Sequence, residues 1–189
     1  ISNFTYACTL TIAVAKNFPP YHIQNTDGSW HGISIDIAEA LVNGAGCQLS
    51  VKEIPWIRAI KLLEKGDIHL LSNYTQDKER SKFSLFIGPH HIEKVVLIAH
   101  RDRSSKVTDV SMLSKFNGLI GVTRGNSFGL EFNEKILTKN NVSGKLVHIK
   151  NNINRHKMLF SGRVDAMFDD ELSAIYLLGK YGEASRNFD

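Results

Sequence analysis

The stretch "IHLLSNYTQDKERSKFS", Ile68 to Ser84, leaves a short apolar run, crosses hydroxyls, amides and an aromatic ring, and ends on an acid–Arg pair. Arg80 can grip a carboxylate through two parallel charge-assisted hydrogen bonds. Asp77 is a good N-cap for a helical turn running through Arg80, and the free amide N–H groups at such a start attract anions. Two other loops carry matching residues, "AKNFPPY" and "PWIR", so that Phe18, Tyr21, Trp56 and Tyr74 would form an aromatic box beside Thr75 and Arg80. The chemistry implied is capture of a small carboxylate, with aromatics around whatever is attached to it. Each residue also has an ordinary reading. Arg80 could pair with Glu79 at the surface, the commoner fate of an isolated acid–Arg pair, and Trp56 and Phe18 could be plain core. Only a shared rim favours the site.

The elements around these loops supply that rim. Residues 9–72 alternate a strand "LTIAVA", a helix "SIDIAEALVNGAG", a strand "QLSVKEI", a helix "WIRAIKLLEKG" closed by Gly66, and a strand "DIHLLS". Crossovers of that length predict parallel strands with helices on the sheet faces and functional loops at the carboxyl ends of the strands. A strand "HIEKVVLIAH" then leads into the polar "RDRSSKVTD", after which the alternation restarts. Strand "NGLIGV", helix "NSFGLEFNEKILTKN", strand "KLVHI", helix "NINRHKMLFSG", strand "VDAMF" and helix "DDELSAIYLLGKYG" follow. The expectation is two α/β lobes, residues 1–99 and 100–189, without internal sequence repetition.

Bulk composition removes several classes. With 42% hydrophobic residues in 189, the chain can bury a core of its own. The net charge of +4 is spread from Lys16 to Arg186, and the clusters "RDR" and "RHK" are too short for the continuous basic stripe that a nucleic-acid duplex requires. The longest apolar run, "VVLIA", falls far short of the roughly 20 residues needed to cross a bilayer. The start at Ile1, without Met or signal peptide, fits a mature exported chain or a trimmed one equally. Cys8 and Cys47 precede two strands expected to be parallel neighbours, which places both thiols at one sheet end. A disulfide, implying an oxidising compartment, and two buried unpaired thiols both fit. No third ligand has a spacing that would build a metal site with His90 and His91, which read as surface histidines with an imidazole pH effect as the alternative.

The ordered set "LTIAVAKNFPPY", "DGSWHGISIDIAEAL", "PWIRAIKLLEKGDIHLL", "YTQDKERSKFSLFIGP", "LIGVTRGNSF" and "GRVDAMFDDE" resembles the extracellular solute-binding proteins that serve ABC transporters for polar amino acids. The resemblance implies a two-lobed periplasmic-binding-protein-like fold of type II, with a ligand cleft between hinged lobes. Carried over by position, Arg80 would clamp the ligand α-carboxylate with Thr75 and the backbone near Ser72 and Asn73. Ser127, with Asn126, would reach the same carboxylate, Asp170 would receive the α-ammonium group, and Phe18, Trp56 and Tyr74 would flank the side chain. Asn126 or Ser127 also reads as an ordinary N-cap, and Asp169, Asp170 and Glu171 as acids favoured at any helix start. Ala15 stands where members preferring cationic side chains often carry an acid, which disfavours a lysine- or arginine-type ligand; Lys16, Arg58 and Arg124 would tolerate an acidic or neutral one. Asp77 replaces a frequent hydroxyl residue, and His69 stands where Asp is common. The chain also stops at "GEASRNFD", where members usually return to the first lobe, so a fragment, a disordered tail or a shortened variant is expected.

The expected function is capture of an amino acid or related small carboxylate by a monomeric, periplasmic or extracellular protein, for delivery to a membrane ABC permease. The alternative is the extracellular sensing domain of a receptor or histidine kinase. An enzyme such as a dehydratase on the same fold ranks lower, because the chain shows no Ser-His or Cys-His arrangement and its acids are explained without proton transfer. No cofactor, metal or nucleic acid is expected.

Overall fold

The computed structural model describes residues 8–16, 18–102, 107, 110–128, 132, 134 and 140–188. The chain divides into two compact units: the first runs to Tyr74 and includes Lys78–Leu85, and the second holds Thr75–Asp77 and the chain from Phe86 onward.

In the first unit, β1 (Thr9–Val14) lies parallel to β4 (Gln48–Glu53), in register from Thr9 opposite Gln48 to Val14 opposite Glu53. Both faces of β1 are covered, as parallel strands with helical crossovers require. Ile12 and Val14 pack on Ile35 and Ala38 of α1 (Ile33–Gly44), whereas Ala13 packs with Ala59 of α2 (Trp56–Lys65) and with Ile68. Gly66 ends α2 in the left-handed conformation that glycine adopts without strain. Gly32 precedes α1 at φ 117°, and a Cβ there would stand 2.6 Å from the carbonyl oxygens of Pro20 and Tyr21. Its missing side chain lets the "PPY" loop lie against the helix start. Cys8 and Cys47 are bridged, with Cα atoms 4.7 Å apart, where β1 and β4 begin. That settles the choice between disulfide and free thiols.

The third strand expected at "DIHLLS" shrinks to one parallel bridge between Ile12 and Leu70. Backbone bonds still join it to β1, from the His69 and Leu70 N–H groups to the Thr11 carbonyl and from the Ala13 N–H to the Leu70 carbonyl, while the Thr11 N–H donates to His69 Nδ1 at 3.0 Å. The unanticipated pair β2 (Ile23–Gln24) and β3 (Trp30–His31) is antiparallel and two residues long.

The second unit is built on a sheet in the order β5-β8-β6-β7, where β5 is Val95–Ala99, β6 Ile120–Thr123, β7 Leu146–Ile149 and β8 Ala166–Asp170. β6 pairs parallel with β7 and β8, and β5 runs antiparallel to β8. The strand "VVLIA", assigned from sequence to residues 1–99, therefore belongs to the second sheet, and the boundary falls after Leu85 rather than at 99/100. A strand's unit is set by its hydrogen-bonding neighbour, which neither hydrophobicity nor a downstream polar stretch specifies. α3 (Asn140–Ser143) is a single turn, and α4 (Asn152–Phe160) and α5 (Glu171–Tyr181) follow β7 and β8. Asn151 caps α4 by accepting from the Asn154 N–H at 2.9 Å. The two sheet faces carry separate cores: Phe116, Ile120, Val122 and Phe168 on one, Leu159, Val164, Met167 and Leu177 on the other. Most of the helix expected over 126–140 lies outside the described residues. Among the described residues, no helix is long and apolar enough to cross a membrane.

Candidate functional site

Arg80 opens a 3₁₀ turn, Arg80–Lys82, and is 8% exposed. Its guanidinium lies 4.4 Å from the centre of the Tyr74 ring, and Tyr74 meets Trp56 edge to face at 5.9 Å. Such a stack holds a planar cation at a fixed tilt while its N–H edges still donate. The surface-pair reading fails, because the exposed Glu79 pairs with Lys82 instead. The capping expectation for Asp77 needs correction as well: Glu79 occupies the N-cap position, with no side-chain cap, since the turn begins only at Arg80.

The aromatic box divides within the first unit. Phe18 sits 5.1 Å from Tyr21 and 5.9 Å from His22, and its N–H donates to the His22 carbonyl. Tyr21 is fully buried and belongs to the core rather than to a rim. Trp56, Tyr74 and Arg80 form the other group. Ser72 and Asn73 fill the turn between Leu70 and Tyr74. The Ser72 hydroxyl lies 3.0 Å from His22 Nε2, and Ser34 Oγ donates to Asn73 Oδ1 at 2.7 Å. Asn73 has φ 51°, a left-handed conformation that asparagine tolerates better than most residues. Burial pushes His22 down to about 4, which keeps its imidazole uncharged at neutral pH. Sequence reasoning missed His22 and Ser34, and only the nearness of His22 to "FPPY" could have pointed to it.

Thr75 belongs to the second unit, where its hydroxyl makes a long 3.5 Å hydrogen bond to the Ser127 carbonyl. Gly125, at φ 84°, turns the chain after β6; Asn126 is exposed and its N–H donates to the Thr123 carbonyl at 3.1 Å, and Ser127 is half-buried. Asp170 is 6% exposed, at the end of β8, and caps α5 by accepting from the Ser173 N–H at 3.1 Å. Its capping role is therefore present whether or not a ligand binds.

Behind Asp170 lies an ionic cluster that the sequence did not announce. Asp169 Oδ1 is 2.7 Å from Arg155 Nη2, and Oδ2 is 2.9 Å from His156 Nε2; the Arg155 and Asp169 side chains are almost wholly buried. Asp169 Oδ1 also accepts the Asp170 N–H at 3.0 Å. Arg155 Nη1 donates to Thr123 Oγ1 at 2.6 Å, and that hydroxyl donates to Asn152 Oδ1 at 2.9 Å. The cluster thus ties the carboxyl ends of β6 and β8 to α4. Burial alone would raise the Asp169 carboxyl, but Arg155 and His156 outweigh it and hold it below the usual range. Partial burial of the carboxyl, and then the charges of Asp170 and Asp169, push Glu93 up to about 7.

The remaining expected residues are peripheral. Lys16 pairs with Glu53 at 3.7 Å, and Arg58 and Arg124 are exposed. His90 and His91 touch each other, with Nδ1 atoms 2.6 Å apart; burial and then the His91 charge hold His90 below its ordinary value. Among the described residues, no group of three His, Cys, Asp or Glu could hold a metal ion.

Residues 10–173 match the bacterial extracellular solute-binding proteins, family 3. The L-cystine-binding protein of Escherichia coli K12 is 25% identical over 174 residues, covering 91% of this chain and 62% of that protein. The chain thus spans less than two thirds of that relative's length. Among solved structures, an ancestral arginine-binding protein bound to arginine superposes with a TM-score of 0.83 at 23% identity, over 98% of this chain and 79% of that one. A histidine kinase sensor domain similar to periplasmic binding proteins gives a TM-score of 0.80 at 17% identity, over 96% of this chain and 75% of the other. These structural likenesses are those of the two-lobed type II fold. With its family match spanning most of the sequence, this chain belongs to the bacterial extracellular solute-binding proteins, family 3.

Proposed function

We propose that the chain is an extracytoplasmic binding module for a free amino acid or closely related small carboxylate, delivered to a membrane ABC permease. The observation that carries this reading is the buried Arg80 stacked on Tyr74, which is braced in turn by Trp56. A guanidinium held at a fixed tilt by a ring stack presents planar N–H edges that match a ligand carboxylate in two-point geometry. Asp170 of the second unit takes the ligand ammonium. The neighbouring Glu93 carboxyl, crowded by Asp170 and Asp169, favours a cationic group there. Thr75, Ser127 and Asn126 complete the carboxylate contacts, and Phe18 and Trp56 flank the side chain. No covalent step is required, and affinity comes from preferential binding to one arrangement of the protein. The Cys8–Cys47 bridge supports a periplasmic or extracellular location.

The test is isothermal titration of the chain with L-cystine, L-arginine, L-histidine and L-glutamine, each beside its decarboxylated amine. Binding of an amino acid but not of its amine, lost in Arg80→Met, is the expected result; equal binding of both would refute the clamp. The likeness to a histidine kinase sensor domain favours a second reading, ligand sensing by the same clamp. A membrane-spanning segment encoded directly after residue 189 would select sensing, and transport dependence on a co-expressed permease would select delivery.

A further inference from the structure

We propose that His22 is a positioning residue that makes the Ser72 hydroxyl a dedicated hydrogen-bond donor for the carboxylate held at Arg80; the inference deepens the amino-acid reading above and rests on it.

His22 is 2% exposed, and among the described residues only Nε2 of its two ring nitrogens has a partner, Ser72 Oγ at 3.0 Å. Nδ1 is enclosed with none. A neutral imidazole carries one proton, so there are two arrangements. A proton on Nδ1 would leave a buried N–H with no acceptor, while Nε2 would draw in the Ser72 proton. A proton on Nε2 leaves only a bare lone pair at Nδ1. Buried donors without acceptors are rarer than under-satisfied acceptors, so the Nε2–H form is preferred. His22 then donates, Ser72 Oγ accepts, and the Ser72 proton is left for another acceptor. Among the described residues, Ser72 has no further hydrogen-bonding partner.

Ser72 lies in the same unit as Arg80, two residues before Tyr74, whose ring the Arg80 guanidinium overlies. A hydroxyl proton kept available by the His22 bond suits an oxyanion acceptor. A mere packing role for His22 would not require either tautomer.

The experiment uses the 189-residue chain labelled with nitrogen-15 at histidine. A long-range proton–nitrogen spectrum at pH 7 should show His22 Nε2 protonated and Nδ1 bare; the opposite tautomer overturns the proposal. Calorimetry with the panel above then compares variants. His22→Phe should weaken the amino acid that binds wild type by roughly ten- to a hundredfold, the worth of one hydrogen bond to a charged group. His22→Gln, which keeps an N–H donor, should recover most of that, and in a Ser72→Ala background His22→Phe should add almost nothing. Wild-type affinity in His22→Phe would overturn the proposal while leaving the amino-acid reading intact. If wild type binds none of the panel, the amino-acid reading falls and this role of His22 falls with it.

Discussion

Replacing Arg155 by Met keeps the length and apolar contacts of the side chain but leaves Asp169 buried without its 2.7 Å guanidinium partner. Breaking one side of a buried pair typically costs about 3–5 kcal/mol, because the abandoned charge stays desolvated. His156 remains 2.9 Å from the other oxygen, which puts the expectation near the lower end, about 3 kcal/mol. For a chain of this length that lowers the melting temperature by about 6–12 °C. The loss should be confined to the second unit. Both tryptophans, Trp30 and Trp56, lie in the first unit, so their fluorescence reports that unit, while amide exchange in β6 and β8 reports the other. The double variant Arg155→Met, Asp169→Asn should regain much of the loss, since no unpaired charge remains. Acid titration adds a sign. The folded carboxyl of Asp169 is held below its ordinary value, so its contribution is full above about pH 4 and is lost as pH falls through the depressed value. In Arg155→Met, burial prevails and the acid transition moves to higher pH. A destabilisation below about 1 kcal/mol, or a double variant as unstable as the single one, would refute the argument.

Reducing the Cys8–Cys47 bridge, or replacing both cysteines by Ser, frees residues 39 positions apart and should cost about 4 kcal/mol on chain-entropy grounds. Denaturation with and without reductant measures it. His22, lowered to about 4 from an ordinary 6.5, contributes its stability in full above pH 6.5, and up to about 3 kcal/mol of that contribution is lost as pH falls towards 4. Because the raised Glu93 gives the opposite trend, the difference in urea midpoint between wild type and His22→Gln across the range isolates it. Glu93, raised to about 7, should release up to about half a proton when an ammonium group binds beside it at pH 7. Calorimetry in two buffers of different ionisation enthalpy detects the release, and Glu93→Gln should abolish it.

The parts legible in the sequence were those written in local patterns. Alternating apolar runs gave β1, β4, β6, β7 and β8, and Gly66 marked the end of α2. Arg80 and the rings around it were legible because a guanidinium, aromatics and hydroxyls together form an unusual composition for a turn. What failed depended on partners distant in sequence. "DIHLLS" is held to β1 by one bridge and a few backbone bonds, with the His69 ring taking the Thr11 N–H, and β5 changed unit because it pairs with β8. In sequence Arg155 is one member of the short basic cluster "RHK". It is buried because it crosses over Gly121, where an added Cβ would meet Arg155 Cγ at 3.4 Å, to reach Asp169. Tyr21 reads like Phe18 in sequence, yet one is core and the other half-buried, a distinction set by how the "FPPY" loop folds against Gly32.

Whether Arg80 clamps the carboxylate of a free amino acid is decided by calorimetric titration of wild type and Arg80→Lys with one panel amino acid and its decarboxylated amine. A carboxylate clamp requires saturable binding of the amino acid, no measurable binding of the amine, and a loss of at least about tenfold in Arg80→Lys, which keeps the charge but not the two-point geometry. Binding of the amine as tightly as the amino acid, or an Arg80→Lys variant with wild-type affinity, would contradict it.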